Sequence, residues 1–88
     1  MNQTINDLSR IKWRCRRGTK ELDFLLLNYF NQKYKAAAKE DQRIFLDLLD
    51  LQDPKLIQYF AEPKEIKDSG IQHIISEILG STEGYSMK

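Results

Sequence analysis

Apolar residues recur at three- and four-residue intervals through most of this chain, and that spacing commits it to helices. Leu22, Leu25, Leu26, Tyr29, Phe30 and Tyr34 form one stripe, and Ile71, Ile74, Ile75, Ile78 and Leu79 form another. Gly18, Asp53-Pro54, Glu62-Pro63 and Gly80 stand where stripes begin or end. The opening stripe holds Ile5, Leu8, Ile11, Lys12 and Cys15, with Trp13 off to one side and Thr4 placed to cap. Asp7 lies near the positive end of that helix dipole, and Arg14, Arg16 and Arg17 lie near its negative end. Gly18 then stops the helix, because glycine takes left-handed dihedrals at little cost. A second helix must start within a residue or two, with Glu21 and Asp23 in its first turn, so the link is a tight corner.

The next boundary carries no such punctuation. From Lys33 to Arg43 there is no Gly or Pro, and Ala36-Ala37-Ala38 favours helix. A single helix from Thr19 to Leu51 would be ~50 Å long, more than the diameter of so small a domain. Size therefore predicts a break near Lys35–Ala38. A third helix over Lys39–Leu51 follows, with Ile44, Phe45, Leu48, Leu49 and Leu51 inward. Asp53 reads as an N-cap with Pro54 at the first helical position. Leu56, Ile57, Tyr59 and Phe60 give the fourth helix its apolar residues, Lys64–Lys67 reads as a charged linker, and Asp68 or Ser69 caps the fifth helix, which Gly80 ends. The expectation is an all-α bundle of five short helices without strands. It makes one domain over residues 1–88, ordered from about 4 to 80, with a frayed polar tail over 81–88.

Charge is unevenly spread. Residues 1–20 hold six bases (Arg10, Lys12, Arg14, Arg16, Arg17, Lys20) against one acid, a net +5, while the rest of the chain carries −4. Such a positive end points to a charged partner. A lone cysteine excludes an intramolecular disulfide, and a lone histidine 58 positions away leaves no metal-ligand cluster. The longest apolar run, Phe24–Leu27, is too short to span a membrane or to form a signal-peptide core. A soluble, cytoplasmic protein in a reducing compartment is expected.

Catalysis finds little to work with. His73 sits on the flank of an apolar helix face and reads as structural. Cys15 lies among cations that would lower its pKa, yet it also fits the inner face of the first helix and reads as core. Nucleic-acid binding is disfavoured, because helical spacing splits the cations into two stripes and the remainder of the chain is acidic. A protein partner fits best. The Arg-Gly corner offers both charge signs, arginine presents a planar fork of donors, and Trp13 is suited to anchor an interface. Glu21 could instead cap its own helix, with Gly18 merely turning the chain.

At this corner the chain resembles the succinate dehydrogenase assembly-factor family. The family's Arg-Gly-x-x-Glu motif reads Arg17-Gly18-Thr19-Lys20-Glu21 here, within Trp13-x-Cys15-Arg16-Arg17-Gly18-x-x-Glu21-Leu22-Asp23. Arg43-Ile44-Phe45-x-x-Leu48-Leu49 and Asp53-Pro54-x-Leu56 also resemble the family, so the likeness covers about residues 8–79. Ala38 departs from it, standing where relatives tend to have a capping serine. The resemblance implies a five-helix assembly factor, not an enzyme, that binds the flavoprotein subunit of succinate dehydrogenase or fumarate reductase. It would promote covalent attachment of FAD to a histidine of that subunit while holding no cofactor stably itself. Arg17, Gly18 and Glu21 carry over as the motif, and proximity adds Arg16, Asp23 and Trp13 as partner contacts. A monomer, without membrane insertion, is expected. An antitoxin-like regulatory module is the alternative the resemblance leaves open.

Overall fold

The computed structural model describes residues 3–82, with side chains from Leu8 onward. Its described residues form five α-helices: α1 Gln3–Arg14, α2 Lys20–Gln32, α3 Lys39–Leu49, α4 Asp53–Ala61 and α5 Ser69–Gly80. Two 3-10 turns, Tyr34–Ala36 and Pro63–Glu65, link α2 to α3 and α4 to α5. No strand occurs among the described residues, as the periodicity predicts. Thr4 falls inside α1 and not at its cap, since the helix begins at Gln3. Of the tail expected to fray, residues 83–88 lie outside the described residues.

Three helices build the core. α5 packs against both α2 and α3, and α4 closes the assembly against α2 and α5. α5 contributes Ile74, Ile75 and Ile78, α2 contributes Leu22, Leu25, Leu26, Tyr29 and Phe30, and α3 contributes Ile44, Phe45, Leu48 and Leu49, all buried. Gly70 permits this approach: a Cβ there would stand 2.9 Å from the Ile44 side chain. α1 is attached more lightly, through Leu8 and Ile11 packed against the core and through Cys15, which is fully buried.

The unpunctuated boundary breaks where size requires. Lys33 leaves helical geometry, and Tyr34 turns inward to meet Phe30 and Phe45 at ring-centroid distances of 5.4 and 5.5 Å. The Tyr34 carbonyl accepts from the Ala37 N–H at 3.1 Å and from Gln42 Nε2 at 2.7 Å, which ties the break to the start of α3. Tertiary packing thus overrides the helical preference of three successive alanines. Ala38 is the N-cap of α3 and offers no side-chain bond, leaving Glu40 and Asp41 in the first turn to complement the dipole.

Two local expectations are corrected. Gln52, not Asp53, is the N-cap of α4, and Pro54 stands in the first turn behind Asp53. The Asp53 carboxylate is drawn instead to a guanidinium 36 residues earlier in the chain. The segment read as a charged linker overlaps the second 3-10 turn, and Ile66 is buried beside it. Two further expectations match: Asp68 caps α5, its Oδ1 accepting from the Ile71 N–H at 3.0 Å, and the helix extends to Gly80.

Candidate functional site

The elbow between α1 and α2 brings the singled-out residues together. α1 tightens as it ends, with the Cys15 N–H shared between the carbonyls of Ile11 and Lys12 and the Arg16 N–H donating to Trp13. Gly18 then adopts φ +94°, the only positive φ among the described residues. A Cβ at Gly18 would meet nothing within 4 Å, so glycine is required there by backbone conformation and not by crowding from within the chain.

Asp23 latches the turn. Its Oδ1 accepts from the Arg17 N–H and, at 3.2 Å, from the Gly18 N–H, while Oδ2 lies 3.8 Å from Arg16 Nε. A carboxylate taking successive backbone donors is a strong local clasp. Proximity alone suggested Asp23 as a partner contact; in the structure its oxygens are engaged inside the elbow.

Arg17 is a larger correction. Expected to face outward, it turns under the bundle, where its side chain is only 14% exposed. Nε donates to Asp53 Oδ1 at 2.9 Å, one terminal nitrogen donates to the Leu49 carbonyl at 2.9 Å, and the other donates to the Leu51 carbonyl. The end of α3 leaves carbonyls without helical partners and carries no basic residue in its own last turn. Arg17 supplies the missing cation from another part of the chain, at the negative end of that dipole. Arg14 joins it by pairing with Asp50. The guanidinium fork thereby fastens the Arg-Gly corner to the Asp-Pro corner, using three acceptors that a lysine could not reach together.

Glu21 behaves oppositely. It is exposed and makes no hydrogen bond or ion pair with any described residue, so it does not cap its own helix. Trp13 is likewise 74% exposed, the most exposed large apolar side chain among the described residues. The outer face of the elbow therefore presents Trp13, the open surface at Gly18, Arg16 and Glu21, whereas Arg17 and Asp23 form its inner face.

Chemistry within the chain remains sparse. Burial raises the Cys15 thiol from its ordinary 9.0 to about 12, although Arg14 and Arg17 pull it down. Such a thiol is protonated and inert at neutral pH. His73 Nε2 lies 3.4 Å from Asp41 Oδ2 on an exposed face of α5, with no nucleophile beside it. No group of three or more His, Cys, Asp or Glu among the described residues could hold a metal ion, and no helix among them is long and apolar enough to cross a membrane. A cleft of about 830 Å³ separates part of α1 from α3, lined by Leu8, Ile11 and Leu46 together with Arg10, Arg14 and Lys35.

Sequence reasoning missed one feature of the site. Ile57 is 51% exposed, and the surface beside it leads across to Glu21. A signal existed: Leu56 and Ile57 are adjacent, and successive helical residues point about 100° apart, so both cannot face one core.

Comparison with known proteins gives the chain a family. A family described as "Flavinator of succinate dehydrogenase" matches residues 9–81. A protein named FAD assembly factor SdhE from Serratia sp. is 36% identical over 74 residues, which is 84% of each chain. Its namesake from Pectobacterium atrosepticum is 38% identical over the same length and share. No solved structure matches significantly. A match spanning both helical corners, with these two relatives beside it, makes the chain a member of the succinate dehydrogenase flavinator family.

Proposed function

We propose that this chain is a non-catalytic assembly factor that docks the outer face of its α1–α2 elbow on the flavoprotein subunit of succinate dehydrogenase, or of fumarate reductase, and promotes covalent attachment of FAD there. The carrying observation is an exposed Glu21, unpaired among the described residues, beside the open surface of Gly18 and flanked by a tryptophan that is 74% exposed. The names of its relatives support the same reading. Three of the six clustered cations (Arg14, Arg16 and Arg17) are engaged by acids of the same chain, which favours a protein partner over a polyanion.

In this reading the reacting groups belong to the partner and to FAD, its substrate for attachment, and the factor holds no cofactor of its own. Its work is selection. By binding more tightly to the conformer in which histidine and flavin are apposed, it raises the population of that conformer. Orientation alone contributes several kcal/mol to such a step. Arg17 and Asp23 set the shape of the elbow, while Glu21, Arg16 and Trp13 meet the partner. The factor works as a monomer in the cytoplasm, in keeping with a single, buried thiol.

The test is in-gel flavin fluorescence of the flavoprotein subunit produced with the wild-type factor, with Gly18→Arg, or without any factor. The expected result is strong covalent fluorescence only with wild type. Equal fluorescence in all three would reject the role.

A further inference from the structure

Glu21 does not stand on a bare surface. It lines a groove of about 260 Å³ between α2, α4 and α5, together with Leu22, Leu25, Ile57, Phe60 and Leu79. Among the described residues lining this groove, Glu21 is the only charged one. Ile57 projects beside it with half its surface open to water, so the apolar lining continues onto the rim of the groove. An apolar depression bordered by one exposed carboxylate that no described residue pairs with specifies the chemistry of its occupant. The occupant must bring an apolar side chain to fill the depression and a cation to meet the carboxylate. An acidic or purely polar segment would leave one requirement unmet.

We infer that this groove receives a segment of the flavoprotein subunit in which a lysine or arginine adjoins an aliphatic or aromatic side chain, the apolar group packing on Ile57 and Phe60 and the cation pairing with Glu21. The inference rests on the elbow-docking reading and extends it: the contact surface runs from the elbow along α2 to α4, bringing in residues that lie far from the Arg-Gly-x-x-Glu motif in sequence. Ile57 then has the role of a hot spot, partly exposed when free and covered in the complex.

The experiment retains the flavoprotein subunit on tagged factor, at low and high salt, for wild type, Ile57→Glu, Glu21→Lys and Glu21→Gln. Ile57→Glu and Glu21→Lys are expected to retain the subunit about tenfold less well than wild type, with unchanged helical circular dichroism. Glu21→Gln is expected to flatten the salt dependence that the wild-type pair imposes. A photoreactive Ile57→benzoylphenylalanine variant, which leaves the rest of the chain intact, should cross-link to the subunit even if Ile57→Glu proves unstable. Wild-type retention by Ile57→Glu, or cross-linking only to a second copy of this chain, would overturn the groove while leaving elbow docking in place. Failure of the wild type to retain the subunit at all would overturn both.

Discussion

Arg17 and Glu21 stand four residues apart on either side of Gly18, yet the fold treats them as opposites. The arginine is withdrawn beneath the elbow and spends its fork on Asp53 and on the carbonyls of Leu49 and Leu51. The glutamate is exposed and spends nothing on any described residue. A short motif that reads as one charged pair is therefore two devices, an internal rivet and an exposed carboxylate that no described residue engages. The difference teaches that charge at a turn is no guide to which way it faces. What decides is whether another element leaves orphaned groups within reach, and α3 does so with the Leu49 carbonyl at its carboxyl end.

Removing the rivet should have the largest effect. Arg17→Ala strands Asp53 and two carbonyls at a partly buried corner and is expected to cost about 2–4 kcal/mol of stability in urea unfolding. Asp53 keeps a third of its surface in water, which holds the figure below that of a fully buried pair. Arg17→Lys should recover only part of the loss, because an ammonium cannot serve three separated acceptors. If Arg17→Ala leaves stability unchanged, the inside half of the comparison is wrong.

Gly18 lies on the boundary between the two devices, and two substitutions separate its roles. Any side chain there must adopt φ +94°, so Gly18→Ala and Gly18→Arg should each cost about 1–2 kcal/mol. The Cβ of either meets nothing within 4 Å, so crowding at that atom adds nothing further. A larger fall in covalent flavin with arginine than with alanine, at matched stability, would then report bulk placed between the elbow and its partner.

A milder effect comes from Cys15, which lies beneath the same elbow. Its thiol is raised by burial from 9.0 to about 12, so the folded state holds its proton after the unfolded state has lost it. That contribution is intact below pH 9 and disappears as pH rises from 9 towards 12, the sign expected of a raised pKa. Stability should fall by about 1 kcal/mol between pH 8 and 10, and Cys15→Ala should flatten that limb. Tyr29, raised by burial from 10.0 to about 12, extends the decline at higher pH in both proteins. At pH 8 the native thiol should resist a disulfide reagent that modifies it at once in urea.

Most of the fold was legible because it is written in spacing. The stripes of α2, α3 and α5 mark the buried residues closely, and the Tyr34–Ala36 break follows from length. The errors share a cause, which is that an isolated segment does not declare its distant partner. Asp53 has the look of a cap because aspartate before proline so often is one, and nothing local shows that Arg17 will claim its carboxylate. Arg17 looks exposed because it belongs to a cationic run. Ile66 is hidden by the charges around it, although the 3-10 turn carries it into the core. The structure gathers the residues singled out at 13–23 into one elbow, but which of their side chains point outward depends on contacts 32 to 36 residues away.

The smallest effect on stability makes the most decisive test. Glu21→Ala and Trp13→Ala each remove a side chain that is exposed and makes no hydrogen bond or ion pair with a described residue, so each should change unfolding free energy by less than about 0.5 kcal/mol. If the outer face of the elbow is a docking surface, both should nevertheless lower covalent flavin on the partner subunit. The two readouts must move in opposite order for the two halves of the motif. Arg17→Ala should lose flavin only in proportion to the folded factor that survives, and osmolyte or low temperature should restore it. Glu21→Ala should lose flavin at full folding, and no stabilising condition should bring it back. Rescue of Glu21→Ala by an osmolyte would erase the division between rivet and contact, since both residues would then act through stability alone.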